Sequence, residues 1–374
     1  MKSINVILCL FLLCAAGLYA ASGDVNNSGT TDIVDALMVA QYYVGLNPQG
    51  FNAANADINN DGSINIVDAL MVAQIYVGLI TPPPSATPTP APEENIYMFS
   101  YFTGDGDDGL HLAYSYDCRN FTALNNNQSL LTPVIGDNKM RDPSIQKDAN
   151  GVFHMVWTDT SWTEMGEDNP ANKGIGYASS TDLINWSTQR FLGVMEGTRA
   201  ENCWAPELFW DDINNVWMIV WSSTVPPTSG HRIYYTTTTD FYNFTPSQIL
   251  YDPGYTLIDG AIIKYSTNRY AMFWKDETSK DIWIVESNSP RGPWGSRTLV
   301  YTQINAEGPA PAKVGNEWYV LYDQYSSHTW GMSRSSNLTS WSTISCSLPS
   351  GARHGTIFKI SEALLNSLRS TVGG

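Results

Sequence analysis

The stretch RDPSIQKDANGVFHMVWTD (141–159) begins a repeated unit that decides the fold. Its first run, RDPSI, is apolar with a polar tip, and its second run, FHMVWTD, is aromatic. A third short run, IGYASS (175–180), and a D-x-x-x-aromatic pattern from Asp182 to Trp186 complete the unit. Short runs of aromatic and β-branched residues are typical of strands. The unit therefore predicts a small sheet of short strands.

The aromatic run recurs through the C-terminal part of the chain at intervals of roughly 50–65 residues. The five copies are YMFSYFT (97–103), FHMVWTD (153–159), WMIVWSS (217–223), YAMFWKD (270–276) and WYVLYDQ (318–324). Strand-rich repeats of about this length indicate the blades of a β-propeller. We therefore predict an all-β, five-bladed β-propeller for residues 96–374.

About ten or eleven residues before four of the five aromatic runs lies an apolar run with an acidic tip, and the four acids occupy matching repeat positions: Asp142, Glu207, Asp259 and Glu307. The first blade lacks this run, but RHGTIFKI (353–360) supplies it from the other end of the chain, with His354 at the tip. A C-terminal strand that completes the N-terminal blade closes the ring and removes the free sheet edge. We expect the five tips to converge at one mouth of the central channel.

Each acid taken alone could cap a turn or pair with a neighbouring blade. Several carboxylates in one place repel each other, which raises some of their pKa values and permits proton transfer near neutral pH. Glycoside hydrolysis uses such a pair: one acid protonates the leaving oxygen and one base activates water. The predicted cluster therefore suits acid–base chemistry on a glycosidic bond.

The propeller region also resembles glycoside hydrolase family 43. The matching motifs are MRDPSI (140–145), WAPELF (204–209), LIDGAII (257–263), AEGPAP (306–311) and RHGTIF (353–358). The resemblance implies a five-bladed enzyme that removes arabinose or xylose units from plant polysaccharides. It departs from the family layout in one way, because about 45 residues of strand-like sequence precede the DP motif. We interpret this as a shifted ring closure.

The resemblance assigns roles to individual residues. It implies that Asp142 is the general base, that Asp259 orients the acid and tunes its pKa, and that Glu307 is the general acid. It also implies that His354 helps to hold a water or a cation in the channel. Inversion at the anomeric carbon is implied too, with the acid and base about 6.5–9.5 Å apart. No metal is expected to be required for the chemistry.

Other residues near the predicted mouth are candidates for substrate binding. Trp204 could stack on a sugar, and so could Trp157 and Trp274, although buried packing is an equal alternative for each. Glu207 and Arg353 could hydrogen-bond sugar hydroxyls, with a salt bridge between blades as the alternative. The competing function is a non-catalytic propeller that binds carbohydrate.

The N-terminal part contains two oxygen-rich loops that repeat at a period of 33 residues, each followed by the motif DALMVAQ. The first loop offers Asp24, Asn26, Ser28, Asp32 and Asp35, and the second offers Asp57, Asn59, Asp61, Asn65 and Asp68. Calcium takes six to eight hard oxygen ligands from one tight loop, and glycine at position 6 permits the turn. We therefore predict two Ca²⁺ sites in a small α-helical, duplicated EF-hand-like domain. Ser28 replaces the acid of the second loop, so the first site is expected to be weaker.

Residues 22–80 resemble a type I dockerin, which implies a cohesin module of a scaffold protein as the partner. In dockerins, loop positions 10 and 11 often determine partner choice. Here they are Ile33-Val34 and Ile66-Val67, the same pair twice. They therefore suggest an apolar, symmetric docking surface, unless they pack against the opposite helix.

Composition and the remaining segments limit the location and partners of the protein. Residues 1–21 predict a signal peptide, and the Pro/Thr-rich segment 81–95 predicts an extended linker between the two domains. The chain is expected to be secreted, monomeric and without a membrane span. A net charge of −16, from 36 acidic and 20 basic residues, argues against a nucleic-acid partner.

Overall fold

The computed structural model describes residues 23–59, 61–80, 94–301 and 305–374. These residues form two compact units, one on each side of the segment 81–93. The predicted signal peptide (1–21) and nearly all of the predicted linker (81–95) lie outside the described residues. Among the helices of the described part, none is both long and apolar enough to cross a membrane.

The N-terminal unit is a pair of helices, α1 (Ile33–Tyr43) and α2 (Ile66–Tyr76), that pack against each other. Each helix begins with a capping box, in which the side chain before the helix and an aspartate of its first turn bond to each other's backbone. Val39 and Val72 meet in the core of the pair, which agrees with the predicted helical, duplicated domain.

The C-terminal unit contains 21 strands in its described residues, followed by helix α3 (Glu362–Val372). The strands are β1 (Glu94–Thr103), β2 (His111–Ser115), β3 (Thr122–Ala123), β4 (Arg141–Lys147), β5 (Phe153–Thr158), β6 (Ile175–Ser180), β7 (Arg190–Leu192), β8 (Trp204–Asp211), β9 (Val216–Ser223), β10 (Arg232–Thr238), β11 (Gln248–Tyr251), β12 (Leu257–Ser266), β13 (Arg269–Asp276), β14 (Ile282–Ser287), β15 (Thr298–Tyr301), β16 (Ala306–Val314), β17 (Glu317–Gln324), β18 (Thr329–Ser335), β19 (Ser342–Ile344), β20 (Ala352–Arg353) and β21 (Ile357–Ser361).

These strands form five antiparallel sheets, which are the five blades of a propeller. Blade 1 contains β1–β3, blade 2 β4–β7, blade 3 β8–β11, blade 4 β12–β15 and blade 5 β16–β19. The C-terminal strands β20 and β21 pair with β1, with Phe99 opposite Ile357. The five-bladed fold and its closure by the C-terminal strand, both predicted from the repeat, are therefore confirmed.

The innermost strands form a closed ring around the channel. β21 contacts β4, and the contacts continue through β8, β12 and β16 back to β21. Between each pair of neighbouring blades lies a separate hydrophobic core, so that five cores hold the ring together. Trp157 and Trp274 are fully buried in two of these cores. Both tryptophans therefore stabilise the ring by packing, which was the alternative to stacking on a sugar.

Candidate active site

A β-bulge repeats near the start of the innermost strand of blades 2 to 5. In each of these strands the pairing with the second strand skips a residue, and one residue of the bulge has a positive φ. The four positive-φ residues are Asp142 (50°), Ala205 (47°), Asp259 (61°) and Gly308 (59°). A bulge re-aims a side chain out of the regular pleat. It therefore directs the residues at the strand starts toward the mouth of the channel.

The bulges also show which tips are structurally equivalent. Asp142 and Asp259 occupy the same position in their blades, whereas Glu307 lies one residue before the bulge residue and Glu207 two residues after it. Glu207 is therefore the equivalent of Ser144 in blade 2. The expectation that all the tips share one repeat position was wrong.

Most of the site residues predicted in the propeller line one cavity of about 560 Å³ at this mouth. These residues are Asp142, Trp204, Asp259, Glu307, Arg353 and His354. Glu207 is not among them. The cavity therefore brings together the three predicted catalytic carboxylates, which come from blades 2, 4 and 5.

Asp142 forms an ion pair with His354 inside the channel, with 3.2 Å between Oδ1 and Nδ1. The Thr158 hydroxyl donates a hydrogen bond of 2.8 Å to Asp142 Oδ2. Burial alone would raise the pKa of Asp142, but the hydrogen bond and charge of His354 lower it to about 2. Burial alone would lower the pKa of His354. The hydrogen bond and charge of Asp142, together with the charges of Asp259 and Glu307, instead raise it to about 10. Asp142 is therefore a carboxylate held in place by an imidazolium.

This protonated His354 bears on the cation expected in the channel. An imidazolium has no free lone pair for a metal, and its positive charge repels one. His354 could therefore bind a cation directly only in its neutral form, and the cation expected in the channel stays a prediction.

Asp259 lies deeper in the same cluster and is only 5% exposed. Its Oδ2 accepts a hydrogen bond of 2.9 Å from the backbone N–H of Gly308, the residue after Glu307. Burial raises the pKa of Asp259, and the negative charges of Glu307 and Asp142 act in the same direction, while His354 and Lys275 oppose them. Asp259 is therefore placed to hold the backbone on which Glu307 sits.

Two cations contact the carboxylate of Glu307. Lys275 donates to its Oε2 at 3.0 Å and Arg353 to its Oε1 at 3.3 Å. Arg353 is held in turn by Asp323, at 2.6 Å, and Lys275 by Glu277, at 2.7 Å. Glu307 is therefore fixed in position from both of its oxygens.

Glu207 lies inside the channel. It is 8% exposed, and the Ser144 hydroxyl donates a hydrogen bond of 2.7 Å to its Oε2. Burial, only partly offset by this hydrogen bond and by His354, raises the pKa of Glu207 to about 8. This location does not support the predicted contact between Glu207 and a sugar hydroxyl. The hydrogen bond instead joins the innermost strands of blades 2 and 3.

The cavity also contains residues that the sequence patterns did not single out. Lys275 is almost fully buried, and its ammonium lies 4.6 Å from the ring centroid of Tyr325. Asp105 and Arg141 form an ion pair in the cavity wall, and Trp162 lies at its rim. Lys275 could have been found from its place in the aromatic run WKD, which matches Thr158 in WTD. Asp105 and Trp162 lie in loops between strands, where the repeat gives no signal.

The two N-terminal loops have the backbone geometry that a calcium loop needs. Each loop folds around its first aspartate, which accepts hydrogen bonds from backbone N–H groups at positions 5 and 6. The glycines at position 6, Gly29 and Gly62, have φ values of 91° and 85°. Asp24, Asp35 and Asp68 are fully buried. Residues 22–80 contain six Asp and no Lys, Arg or His, so this segment has no cationic side chain to pair with them.

Buried carboxylates without a protein cation fit a bound metal, because an unpaired buried charge is costly. The oxygen-only donor set fits Ca²⁺, and part of it would come from Asn and Ser side chains and backbone carbonyls. The residues that would hold the ions are those predicted from the sequence, Asp24, Asn26, Ser28, Asp32 and Asp35 in one loop and Asp57, Asn59, Asp61, Asn65 and Asp68 in the other.

The two helices expose matching apolar residues. Ile33, Val34, Ile66 and Val67 are each 47–53% exposed. They therefore do not pack against the opposite helix, which was the alternative to a docking role. Leu37 and Leu70 extend the two exposed patches by one turn each.

Two family models match the chain. Residues 93–365 match a family 43-related model described as "Probable glycosyl hydrolase domain", and residues 22–75 match the "Dockerin type I domain". The first match covers more than half of the chain. The chain therefore belongs to this glycoside hydrolase family, and it carries a type I dockerin domain.

Individual relatives are more distant. A stretch of 241 residues is 29% identical to an alpha-L-arabinofuranosidase of Bifidobacterium longum subsp. longum, covering 53% of this chain but 22% of that protein. A thermostable family-43 glycoside hydrolase is 18% identical with a TM-score of 0.49, over 60% of this chain and 80% of its own. An alpha-L-arabinofuranosidase from Lactobacillus brevis is 20% identical with a TM-score of 0.43, over 55% and 72%. At these TM-scores, the two structures carry no argument about function.

Proposed function

We propose that the propeller is an inverting, exo-acting glycoside hydrolase that removes arabinofuranose or xylose units from plant cell-wall polysaccharide. The observation that carries this proposal is the single cavity lined by Asp142, Asp259 and Glu307. An acid–base pair and a third carboxyl group in one cavity supply what glycoside hydrolysis by inversion needs. Family membership and the arabinofuranosidase relative support the choice of sugar.

In the proposed mechanism, Asp142 is the general base. Its low pKa keeps it ionised, and the ion pair with His354 fixes its orientation toward a water molecule. Glu307 is the general acid, and Asp259 orients it through the Gly308 N–H. Asp142 and Glu307 belong to blades 2 and 5, which are not neighbours in the ring. This suits a mechanism in which water and leaving group lie on opposite faces of the sugar.

To act as the acid, Glu307 has to take up a proton and free the oxygen that carries it to face the glycosidic oxygen. Both oxygens are engaged in this structure, one by Lys275 at 3.0 Å and one by Arg353 at 3.3 Å. Contacts of catalytic groups often change when substrate binds. We expect the substrate to replace one of these two contacts.

The proposal is tested with Asp142→Asn and Glu307→Gln in the full chain. Each variant keeps the shape of its side chain but loses the base or the acid, so turnover of an activated aryl glycoside should be abolished. Glu317→Gln is the matched control, because Glu317 is a carboxylate of β17 paired with Arg334 outside the cavity. More than a tenth of the wild-type rate in either catalytic variant would contradict the assignment.

The sugar and the stereochemistry need separate measurements. A panel of nitrophenyl α-L-arabinofuranoside, β-D-xylopyranoside and β-D-galactofuranoside identifies the unit that is cleaved. Proton NMR of the first product anomer then separates inversion from retention. Binding of sugars without hydrolysis by the wild type would instead favour the non-catalytic carbohydrate-binding propeller.

The N-terminal unit is proposed to bind two Ca²⁺ and to dock into a cohesin module, so that the secreted, monomeric enzyme is tethered to a scaffold. The dockerin match and the exposed pairs Ile33-Val34 and Ile66-Val67 support this role. A pull-down of the full chain with cohesin modules should succeed in calcium and fail in chelator. Because the exposed pairs repeat, changing one of them to Ser-Thr should leave binding, whereas changing both should abolish it. Loss of binding from either single change would contradict a symmetric surface.

A further inference from the structure

A second cavity, of about 340 Å³, lies beside the catalytic one. Asp105 lines both cavities, so the two share a wall. The remaining lining of the second cavity is polar and consists of Asp137, Lys139, Ser161, Thr163, Glu164 and Asn169. Ligand pockets span about 300–1,000 Å³, so this volume is at the lower end of that range.

The segment 161–163 forms the ridge between the cavities. Ser161 and Thr163 line the second cavity, and Trp162 lines the catalytic one. Trp162 is 61% exposed, and none of the aromatic pairs or cation–π contacts among the described residues includes it. A large exposed aromatic ring at a cavity rim is a common contact surface for ligands that present one apolar face.

The ridge and the shared wall are held in place without a ligand. Asn172 donates two hydrogen bonds to the loop that carries Trp162, at 2.7 Å to the Glu164 carbonyl and 3.0 Å to the Gly166 carbonyl. Asp105 is fixed by ion pairs with Lys139 and Arg141. A site that is ordered before binding loses less conformational entropy when the ligand arrives.

The lining of the second cavity indicates the chemistry of its ligand. Asp105, Asp137 and Glu164 against Lys139 give a net negative lining, which disfavours a uronic acid or a phosphate. Carboxylate and hydroxyl oxygens accept hydrogen bonds from sugar hydroxyls, and the amide and ammonium donate to them. The lining therefore suits a neutral, polyhydroxylated unit.

We propose that the second cavity is a distal subsite that binds a further neutral sugar unit of the polymer whose terminal unit occupies the catalytic cavity, with Trp162 contacting the chain between them. The proposal rests on the proposed function, because it assigns the terminal unit to the cavity of Asp142 and Glu307. It predicts that the substrate is an oligomeric chain and that recognition extends beyond the sugar that is cleaved.

The test compares substrates of different length in the full-length enzyme. Glu164→Ala should lower kcat/KM for tri- and tetrasaccharides at least tenfold and change kcat/KM for the nitrophenyl monoglycoside less than twofold. Trp162→Ala should lower kcat/KM for the long substrates at least tenfold, and by a larger factor than for the monoglycoside. Trp162→Phe should retain most of the activity on long substrates, because it keeps an aromatic face. Trp210→Ala is the matched control, since Trp210 is an exposed tryptophan that lines neither cavity.

Failure of the subsite and failure of the proposed function give different results. An equal loss on all chain lengths in Trp162→Ala, or an unchanged rate on long chains, overturns the subsite while hydrolysis by the wild type stands. If the wild type hydrolyses none of these substrates, the proposed function fails. In that case calorimetry of tetrasaccharide binding to wild type and Trp162→Ala decides the subsite, and equal affinity overturns it.

Discussion

Gly308→Ala should damage both the fold and the site through one added carbon atom. Gly308 has a φ of 59°, and an ideal Cβ built on it would lie 2.4 Å from two carbons of the His354 ring. That ring is buried and bonded to Asp142, so it cannot simply rotate away. The Gly308 N–H also holds Asp259, and Glu307 is the preceding residue. The substitution therefore disturbs all three proposed catalytic groups together.

The cost has two parts that can be separated. A left-handed backbone costs a non-glycine residue roughly 1–2 kcal/mol, and overpacking a filled site costs roughly 1–3 kcal/mol. Gly308→Ala should therefore lower the free energy of unfolding by about 2–5 kcal/mol. Gly315→Ala is the matched control, because Gly315 has a φ of 55° and no atom within 4 Å of its ideal Cβ. Gly315→Ala therefore has only the cost of the left-handed backbone.

The assay can follow the propeller alone. All 13 tryptophans lie between Trp157 and Trp341, so tryptophan fluorescence during denaturant unfolding reports on the C-terminal unit and not on the dockerin. Activity is measured in parallel on an activated glycoside. A displacement of about 1 Å in a catalytic constellation can cost roughly 100-fold in rate. We expect a loss of that order in Gly308→Ala and a near wild-type rate in Gly315→Ala.

The reasoning would be refuted if Gly308→Ala and Gly315→Ala matched in both stability and rate. A double variant tests the cause more directly. If the added Cβ meets the His354 ring, then replacing His354 with alanine removes the clash, and the two changes should be strongly non-additive. Additive free energies of unfolding would show that the clash is not the source of the cost.

Two further predictions concern buried carboxylates outside the catalytic cavity. Burial and the charge of Asp137 raise the pKa of Asp159 from 3.8 to about 8. At a pH between these two values, the unfolded chain has released a proton that the folded chain keeps. The free energy of unfolding of the wild type should therefore fall from pH 4 to pH 8. Asp159→Asn should be more stable than the wild type by a few kcal/mol at pH 8, at about 1.4 kcal/mol per pKa unit, and no more stable at pH 4. An equal difference at both pH values in urea unfolding would contradict this. In the dockerin, Asp35→Ala and Asp68→Ala should each reduce calcium bound per chain from two to one by calorimetry, and an unchanged stoichiometry in either would exclude that loop as a site.

The propeller could be predicted because the sequence pattern of each blade lies within a short stretch of the chain. Blades 2 to 5 are each a set of consecutive antiparallel strands, and an aromatic run marks each of the five blades. The closure could be predicted by counting, since blade 1 lacked the strand that RHGTIFKI (353–360) adds beside β1. The proposed calcium loops have a local signal for the same reason, as every proposed side-chain ligand of a loop lies within twelve residues.

The alignment of the tips could not be predicted in the same way. The spacing from the aromatic run predicts that four acids occupy one repeat position: Asp142, Glu207, Asp259 and Glu307. The bulges shift Glu307 by one residue and Glu207 by two, and such a shift decides which way a strand side chain points. Asp and Ala occupy the positive-φ positions of blades 2 to 4, and neither residue marks a bulge in a sequence. Glu207 was therefore expected in the cavity and instead lies in the channel.

A second repeat position explains the supporting residues that the sequence patterns missed. Thr158, Ser222, Lys275 and Asp323 are equivalent, because each lies opposite the residue that precedes the bulge of its own blade. Each contacts the next blade. Thr158 accepts a hydrogen bond from the N–H of Ala205, and Ser222 accepts one from the N–H of Asp259. Lys275 donates to Glu307, and Asp323 accepts from Arg353. In these four contacts, one blade holds the segment that carries the tip of the next blade. The geometry of the catalytic groups therefore depends on the closure of the ring, and a fragment that ends before β20 would lose His354 and the support of Asp142 along with it.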